Sequence, residues 1–198
     1  MKIKRLITGP LGVNTYIISS AGGSIVIDPG GNYDEIIKYA ENVSAVLLTH
    51  GHFDHIGAVY DFYSRGVKVY IHYNDADKLS SGNIPALYYK IKLPGDIKPE
   101  FLNGDEILSL NGINIKVIHT PGHSAGSVIY IIDNNIFSGD TLFYNSYGRY
   151  DFSDGDYLTL KDSIIDKIFT LQGDYNIYPG HGEYTSLDYE RKYNPILL

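Results

Sequence analysis

Four side chains that commonly bind metal ions lie within the short segment THGHFDH, residues 49–55; they are His50, His52, Asp54 and His55. The segment follows an apolar run at residues 45–48, which predicts a short buried strand. Imidazole nitrogens and carboxylate oxygens suit zinc and similar divalent ions, and they must converge on a centre about 2 Å from each donor atom. A regular strand or helix cannot aim four close neighbours inward, whereas a tight turn can, and Gly51 allows one. The segment therefore predicts a metal site at a strand end.

Further residues of the same types lie in three later motifs. The chain has seven histidines, and three of those outside the first cluster lie beside Gly or Pro: His119 and His123 in HTPGH, and His181 in YPGHG. Asp140 lies in SGDTLF and also follows apolar residues. Any one of these histidines alone would be interpreted as an ordinary capping or core residue. Because each motif ends a predicted strand, the set as a whole favours a metal site.

In order along the chain, these residues resemble the ligand pattern of the metallo-beta-lactamase fold superfamily, HxHxDH followed by His, Asp and His. The matching residues are His50, His52, Asp54, His55, His123, Asp140 and His181. The resemblance implies two divalent metal ions, with zinc as the first expectation and iron or manganese as alternatives. It assigns one ion to His50, His52 and His123, a second to Asp54, His55 and His181, and a bridging role to Asp140. Catalysis is expected to depend on Asp54.

The composition is that of an ordinary globular protein, with 43% hydrophobic and 20% charged residues, and residues 1–198 fit a single domain. There is no cysteine, so disulfides and thiolate ligands are excluded and a metal must bind to nitrogen and oxygen. The first residues have no apolar signal core, and no apolar stretch is long enough for a membrane span. We therefore expect a cytoplasmic protein without a membrane partner. The net charge of -7 argues against a nucleic-acid partner.

The hydrophobic pattern predicts ten strands, at residues 2–7, 13–19, 24–28, 45–48, 67–72, 106–110, 113–118, 128–132, 135–138 and 176–178. Helices are predicted after Asn32, which would cap a helix burying Ile36, Ile37 and Ala40, and after His55, with Asp54 and His55 in the first turn. Two more are predicted, one capped by Asp156 or Thr159 and one near residues 188–195. The fold class is α/β (α+β). The resemblance implies a four-layer αββα sandwich of two mixed sheets with helices outside, and the ligands at one edge.

Three features around the metal motifs allow more than one interpretation. Asp28 ends a predicted strand, where it either caps a turn or, as the resemblance implies, supports a ligand histidine. His72 is interpreted as structural or as lying near the mouth of the site. Residues 73–104 are rich in Pro and Gly, and form either a loop that borders the substrate or a plain connection.

Within the superfamily, the chain resembles the glyoxalase II (hydroxyacylglutathione hydrolase) group, and more narrowly its short members without a C-terminal helical domain. The similar segments are GPLGVNTY, VIDPGG, LTHGHFDHIGA, HTPGHSAGS, SGDTLF, GRYDF, YPGHG and RKYNPIL. The resemblance implies hydrolysis of a small-molecule acyl thioester by a hydroxide that two metal ions share. Glutathione is an open question, because the chain ends soon after His181. Arg149 and Tyr150 are candidate substrate contacts, although Arg149 could instead pair with Asp151 or Asp154.

Other reaction classes are also considered. A Ser-His-Asp hydrolase would need a nucleophile elbow such as GxSxG, and the sequence contains none. Persulfide dioxygenases have the same fold and a similar GRxDF loop, and they would hold a single iron on His50, His123 and Asp140. A nuclease or a non-catalytic relative is disfavoured, because the chain has no basic run and has retained every ligand-type residue.

Overall fold

The computed structural model describes residues 1–93 and 97–198. The first sheet contains six strands in the order β1 Lys2–Thr8, β2 Val13–Ser20, β3 Gly23–Ile27, β4 Val43–Leu47, β5 Lys68–His72 and β6 Glu100–Leu102. β1 to β3 pair antiparallel, and β3 to β6 pair parallel. The parallel half follows from the alternation of strands and helices in this part of the chain, since a parallel pair needs a crossover connection.

The rest of the chain supplies β7 Ile107–Leu110, β8 Ile113–His119, β9 Val128–Ile132, β10 Asn135–Gly139, β11 Leu142–Phe143, β12 Ser146–Tyr147, β13 Asn176–Pro179 and β14 Thr185–Ser186. The second sheet has the order β14-β13-β10-β9-β8-β7, while β11 and β12 form a separate hairpin. Neighbouring strands of the second sheet pair antiparallel, except β10 and β13, which are parallel. Between β7 and β8, Asn111 and Gly112 form a two-residue turn with φ of 51° and 74°, the positive values that an Asn-Gly pair favours in a hairpin.

The helices are short and lie between strands or near the end of the chain. They are α1 Tyr33–Ile36, α2 Val59–Tyr63, a 3₁₀ helix Tyr73–Leu79, α3 Ile84–Tyr88, α4 Tyr157–Asp162, a π-helical turn Ser163–Ile168, α5 Leu187–Tyr193 and a 3₁₀ helix Pro195–Leu197. None of the helices within residues 1–93 and 97–198 is long and apolar enough to cross a membrane.

Three separate apolar clusters define four layers. Ile18, Ile27 and Leu47 of the first sheet pack against residues of the second sheet, among them Val117, Tyr130 and Phe137. The alternate residues of the first sheet, such as Ile17, Val26 and Val46, face a cluster that includes Ile36 and Phe62 of α1 and α2. The outer face of the second sheet packs against Leu160, Ile164 and Ile168. Because side chains alternate along a strand, each sheet buries both faces, and the αββα sandwich is confirmed.

The predicted helix after His55 begins later than the sequence pattern indicates. Asp54 and His55 lie in turns, and α2 starts only at Val59. The reason is a close backbone contact: a Cβ atom on Gly57 would lie 2.1 Å from the carbonyl oxygen of Gly30. In addition, the N–H of Ala58 donates to the carbonyl of Pro29 at 2.9 Å and not to a preceding helical turn, so the ligand segment stays non-helical.

The prediction for Asn32 was also wrong in part. Asn32 precedes α1 but has a left-handed φ of 58°, and its side chain does not cap the helix. Its Oδ1 atom instead accepts a hydrogen bond of 3.1 Å from the N–H of Gly9. Ile36 is buried as predicted, whereas Ile37 is 40% exposed. The next helix prediction was more accurate, because Asp156 caps α4 by accepting from the N–H of Thr159 at 2.7 Å.

Within the predicted connection 73–104, the structure contains two short helices and β6, and residues 94–96 lie outside the described part of the chain.

Candidate metal centre

Strand directions place the predicted ligand residues at one edge of both sheets. β4 ends just before the segment THGHFDH, while β8, β10 and β13 end shortly before His123, Asp140 and His181. β8 and β10 both run antiparallel to β9, and β13 runs parallel to β10, so these three strands end at the same edge. The two sheets meet there, since the N–H of Val128 donates to the carbonyl of Thr49 at 2.8 Å.

The structure brings all seven predicted residues together. Two groups have ligand atoms within 4.8 Å of one another: His50, His52 and His123, and Asp54, His55 and His181. Asp140 lies between the groups. Its Oδ1 atom is 3.4 Å from His55 Nε2, and its Oδ2 atom is 3.6 Å from His123 Nε2 and 3.7 Å from His181 Nε2. The geometry therefore contains two adjacent sets of three donors with one carboxylate facing both.

Asp28 orients two of these histidines from beneath. Its Oδ1 accepts from the N–H of Thr49 at 2.8 Å, and its Oδ2 accepts from Thr49 Oγ1 at 2.6 Å and from His55 Nδ1 at 3.0 Å. Because the Thr49 hydroxyl donates to Asp28, it can only accept from His50 Nδ1, which lies 3.0 Å away. The Nε2 atoms of His50 and His55 are then directed at the cluster. Asp28 is thus a supporting residue, as the resemblance implies.

The other histidines are held by backbone contacts. His123 Nδ1 donates to the carbonyl of Arg149 at 2.7 Å, which leaves its Nε2 facing the cluster. The loop that carries His181 is held by Asn14, whose side-chain amide donates to the carbonyls of Pro179 and Gly182 at 3.0 and 2.9 Å. Asn14 belongs to β2 of the first sheet, so one buried residue joins both sheets at the site.

The protonation of the first group suits metal binding. Burial, followed by the imidazole of His55, holds the pKa of His50 well below its usual value. Burial, followed by His123 and the Lys78 ammonium, lowers the pKa of His52 to about 4. Both imidazoles are therefore neutral at neutral pH, which is the form that coordinates a metal ion.

In the second group, His55 holds a proton where a cation would bind. Burial by itself lowers the pKa of His55, but Asp140 and Asp28 outweigh it and hold that pKa well above its usual value. Burial likewise opposes the ionisation of Asp140, yet His55 and its other imidazole neighbours hold the pKa of this carboxyl well below normal. A buried cationic imidazole beside two carboxylates marks a location that favours positive charge. A divalent ion would take the place of that proton.

Unpaired buried atoms provide the test of whether these residues fit metal ions. Within residues 1–93 and 97–198, the buried side-chain nitrogen and oxygen atoms without a hydrogen-bond partner are His55 Nε2, His72 Nε2 and Asp140 Oδ1. Two of these atoms, His55 Nε2 and Asp140 Oδ1, face each other across 3.4 Å within the cluster. Unsatisfied buried polar atoms are costly, and coordination of a cation would satisfy both of them. The residues present fit a divalent metal ion.

His72 does not belong to this cluster. Its ring stacks on that of His119 with the centroids 4.0 Å apart, and His119 Nε2 is hydrogen-bonded to the carbonyl of Ala125 at 2.9 Å. His72 ends β5 of the first sheet and His119 ends β8 of the second, and neither belongs to a donor group of the cluster.

A buried carboxylate supports the metal-binding segment and was not identified from the sequence. Asp75, in the 3₁₀ helix Tyr73–Leu79, is 0% exposed. Its Oδ2 accepts from the N–H of Gly51 at 2.8 Å and from Ser124 Oγ at 2.7 Å, and its Oδ1 accepts from the N–H of Gly126 at 2.8 Å. Lys78 completes the set with an Nζ to Oδ1 distance of 2.6 Å. Nothing in local sequence separates Asp75 from the exposed Asp77, because its role depends on partners from distant segments.

A cleft of about 730 Å³ opens over the cluster. Arg149 borders this cleft, and so do several residues of the predicted connection 73–104, including Lys78, Asn83 and Pro85. The guanidinium of Arg149 donates two hydrogen bonds of 2.9 Å to Asp151. This is the ion pair that the sequence analysis gave as the alternative to a substrate contact. Tyr150 is not among the described residues that line the cleft, and its ring lies 5.0 Å from that of Tyr157.

Comparison with known proteins, taken together with this geometry, identifies the superfamily to which the chain belongs. The family model for the metallo-beta-lactamase superfamily matches residues 8–181, and the chain belongs to that superfamily. Hydroxyacylglutathione hydrolase GloC of Haemophilus influenzae is 38% identical in an alignment of 183 residues, which covers 87% of this chain and 86% of that protein.

Two crystal structures are similar over nearly the full length. BLEG-1 B3 metallo-beta-lactamase has a TM-score of 0.88 and 33% identity, with 99% of each chain covered. TTHA1623 in a di-iron-bound form has a TM-score of 0.85 and 32% identity, with 97% of this chain and 98% of the other covered. Together with the donor set described above, these relationships indicate a metal-dependent hydrolase of the superfamily.

Proposed function

We propose that this protein hydrolyses acyl thioesters with two divalent metal ions. The observation that carries the proposal is the pair of donor groups with Asp140 between them. One ion would be held by His50, His52 and His123. The other would be held by Asp54, His55 and His181, and Asp140 would contribute to both. The similarity to a hydroxyacylglutathione hydrolase supports a thioester as the substrate.

Two such ions supply a nucleophile at neutral pH, because coordination lowers the pKa of water from about 15.7 toward 7, and they stabilise negative charge on the attacked carbonyl. The reaction forms a bond between the acyl carbon and the water oxygen and breaks the bond to sulfur. A carboxylate and a thiol are the products. The chain has no cysteine, so no thiol of the protein takes part.

The protein's own contribution is to hold the donor atoms in place. Asp28 and Thr49 fix the tautomers of His50 and His55 through Nδ1, and the carbonyl of Arg149 does the same for His123. Hydrogen bonds of this kind keep the imidazoles from rotating when substrate enters. Phe152 adds an apolar wall, with its ring centroid 4.6 Å from that of His52.

One observation favours a second candidate, a persulfide dioxygenase with a single iron. His50 Nε2 lies 3.3 Å from His123 Nε2, which in turn is 3.6 Å from Asp140 Oδ2. Two histidines and one carboxylate in this arrangement suit iron and oxygen chemistry. The second donor group would then be unnecessary for the reaction.

The deciding experiment measures metal content per chain on protein purified without added metal. The same sample is then assayed for thioester hydrolysis, for oxygen uptake with glutathione persulfide, and for hydrolysis of a β-lactam. Two metal ions and thioester cleavage would support the proposal. One iron with persulfide-dependent oxygen uptake would refute it, and so would β-lactam cleavage without thioester cleavage.

The variant Asp54→Ala separates the two candidates, because Asp54 belongs only to the second donor group. A dinuclear hydrolase should lose one metal and most of its thioester activity, whereas a mononuclear dioxygenase should keep its oxygen uptake. Asp34→Ala is the matched control, since Asp34 is exposed on α1.

A further inference from the structure

We infer that the thiol carrier released from the substrate is uncharged, so that the enzyme prefers thioesters of neutral thiols over those of glutathione. The inference rests on the proposed function, because it concerns the leaving group of that same hydrolysis. Glutathione carries two carboxylates and one ammonium group. A protein that recognises it needs cationic side chains that are available to its carboxylates.

Among the described residues that line the cleft, two are lysine or arginine. The first is Lys78, and two carboxylates of the protein already bind it. Its Nζ atom lies 2.6 Å from Asp75 Oδ1 and 2.6 Å from Asp154 Oδ2. The Lys78 side chain is only 19% exposed, and the Asp75 side chain is fully buried. A substrate carboxylate that approached Lys78 would meet two carboxylates already beside the ammonium, and displacing Asp75 would leave a buried charge without its cation.

Arg149 is the other, and Asp151 occupies the edge of its guanidinium that is formed by Nε and one terminal nitrogen. Nε and one terminal nitrogen bind the two oxygens of Asp151, each at 2.9 Å. One face of the guanidinium lies over the ring of Phe152, 4.7 Å from its centroid. This pair is exposed, so it is weaker than the pairing of Lys78, but a substrate carboxylate must still compete with Asp151.

Apart from the histidines of the metal centre, the remaining lining is apolar, neutral polar or acidic. Among the described residues that line the cleft, Lys78 and Arg149 are the only lysine or arginine, and residues 94–96 include neither type. Apolar walls come from Leu11, Phe53, Pro85, Phe143 and Phe152. Asp77 and Asp154 add negative charge at the same surface. A neutral carrier would gain burial on these walls, whereas a carboxylate would lose hydration and find both cationic side chains already paired.

The test compares two thioesters with the same lactoyl group, one on glutathione and one on N-acetylcysteamine. We expect kcat/KM to be about tenfold higher for the neutral carrier, because an unpaired carboxylate loses more on binding than it gains. Equal values, or a preference for glutathione, would overturn the inference while leaving thioester hydrolysis intact. If neither compound is cleaved, the proposed function itself fails.

The variant Asp151→Asn tests the physical reason, since it should free Arg149 while keeping the shape of the loop. We expect the preference for the neutral carrier to fall about threefold, because an exposed ion pair is weak and its loss changes a rate ratio by only about that factor. Asp34→Asn, an equal charge change on α1, should leave the ratio of the two kcat/KM values unchanged. An unchanged ratio in Asp151→Asn would show that the masking of Arg149 does not set the specificity.

Discussion

Replacing Asp75 by asparagine should destabilise the protein, because this buried carboxylate holds three segments around the metal centre. It accepts backbone N–H groups from Gly51 and Gly126, the hydroxyl of Ser124 and the ammonium of Lys78. An asparagine of the same shape has only one acceptor oxygen. Its NH₂ group must face two of the donors that the carboxylate now satisfies.

The magnitude follows from those bonds. A hydrogen bond to a charged group contributes about 2 kcal/mol and a neutral one about 1 kcal/mol, and an unsatisfied buried donor adds its own desolvation cost. If the NH₂ group takes the place of Oδ1, the bonds from Lys78 and Gly126 are lost together. We therefore expect the free energy of unfolding to fall by about 3 kcal/mol in Asp75→Asn, in the range seen when a buried ion pair loses one partner.

The assay is urea unfolding of the metal-free protein, followed by circular dichroism. The control is Asp77→Asn, because Asp77 is exposed on the same 3₁₀ helix and should change stability by less than about 0.5 kcal/mol. Lys78 keeps its 2.6 Å contact with Asp154 in Asp75→Asn, so the expected loss comes from the bonds to Asp75. If Asp75→Asn unfolds at the same urea midpoint with the same slope, the reasoning about this network is wrong.

Three further changes address the site, the packing and pH. Gly148→Ala would place a Cβ atom 1.8 Å from the carbonyl oxygen of Asp140; we expect the binding of at least one metal ion to weaken about tenfold in a metal titration. Tyr16→Phe removes the 2.6 Å bond from the hydroxyl to the carbonyl of Pro179 and should lower the free energy of unfolding by about 1 kcal/mol in urea. The backbone N–H of the first helical turn lowers the pKa of Asp156 below its ordinary 3.8. Its carboxylate therefore stabilises the fold above that pH, and the benefit disappears as pH falls through the lowered pKa. The stability gap between the metal-free protein and Asp156→Ala should shrink from pH 7 to pH 3; a constant gap would show that ionisation of the cap is irrelevant.

The strands and the identity of the site residues could be predicted from the sequence. All ten predicted strands appear within two residues of their expected ends, because runs of apolar and β-forming residues bounded by turn residues mark buried strands. The clustering of His50, His52, Asp54 and His55 was equally readable, since nearby residues with donor atoms signal a site without any knowledge of the fold. The short strands β6, β11, β12 and β14 were not predicted, because two or three residues carry no pattern of their own and pair only through their neighbours.

The tertiary structure alone decided how the charged and polar groups are partnered. Asp75 holds Gly51, Ser124 and Gly126, and Asn14 holds the loop of His181 from the opposite sheet. These contacts join segments far apart in the chain, so no local pattern reports them. The same holds for the start of α2, which a close contact between the backbones of Gly57 and Gly30 delays. Hydrophobic periodicity is a property of one segment, whereas partners for a buried charge are chosen by the geometry of the whole fold.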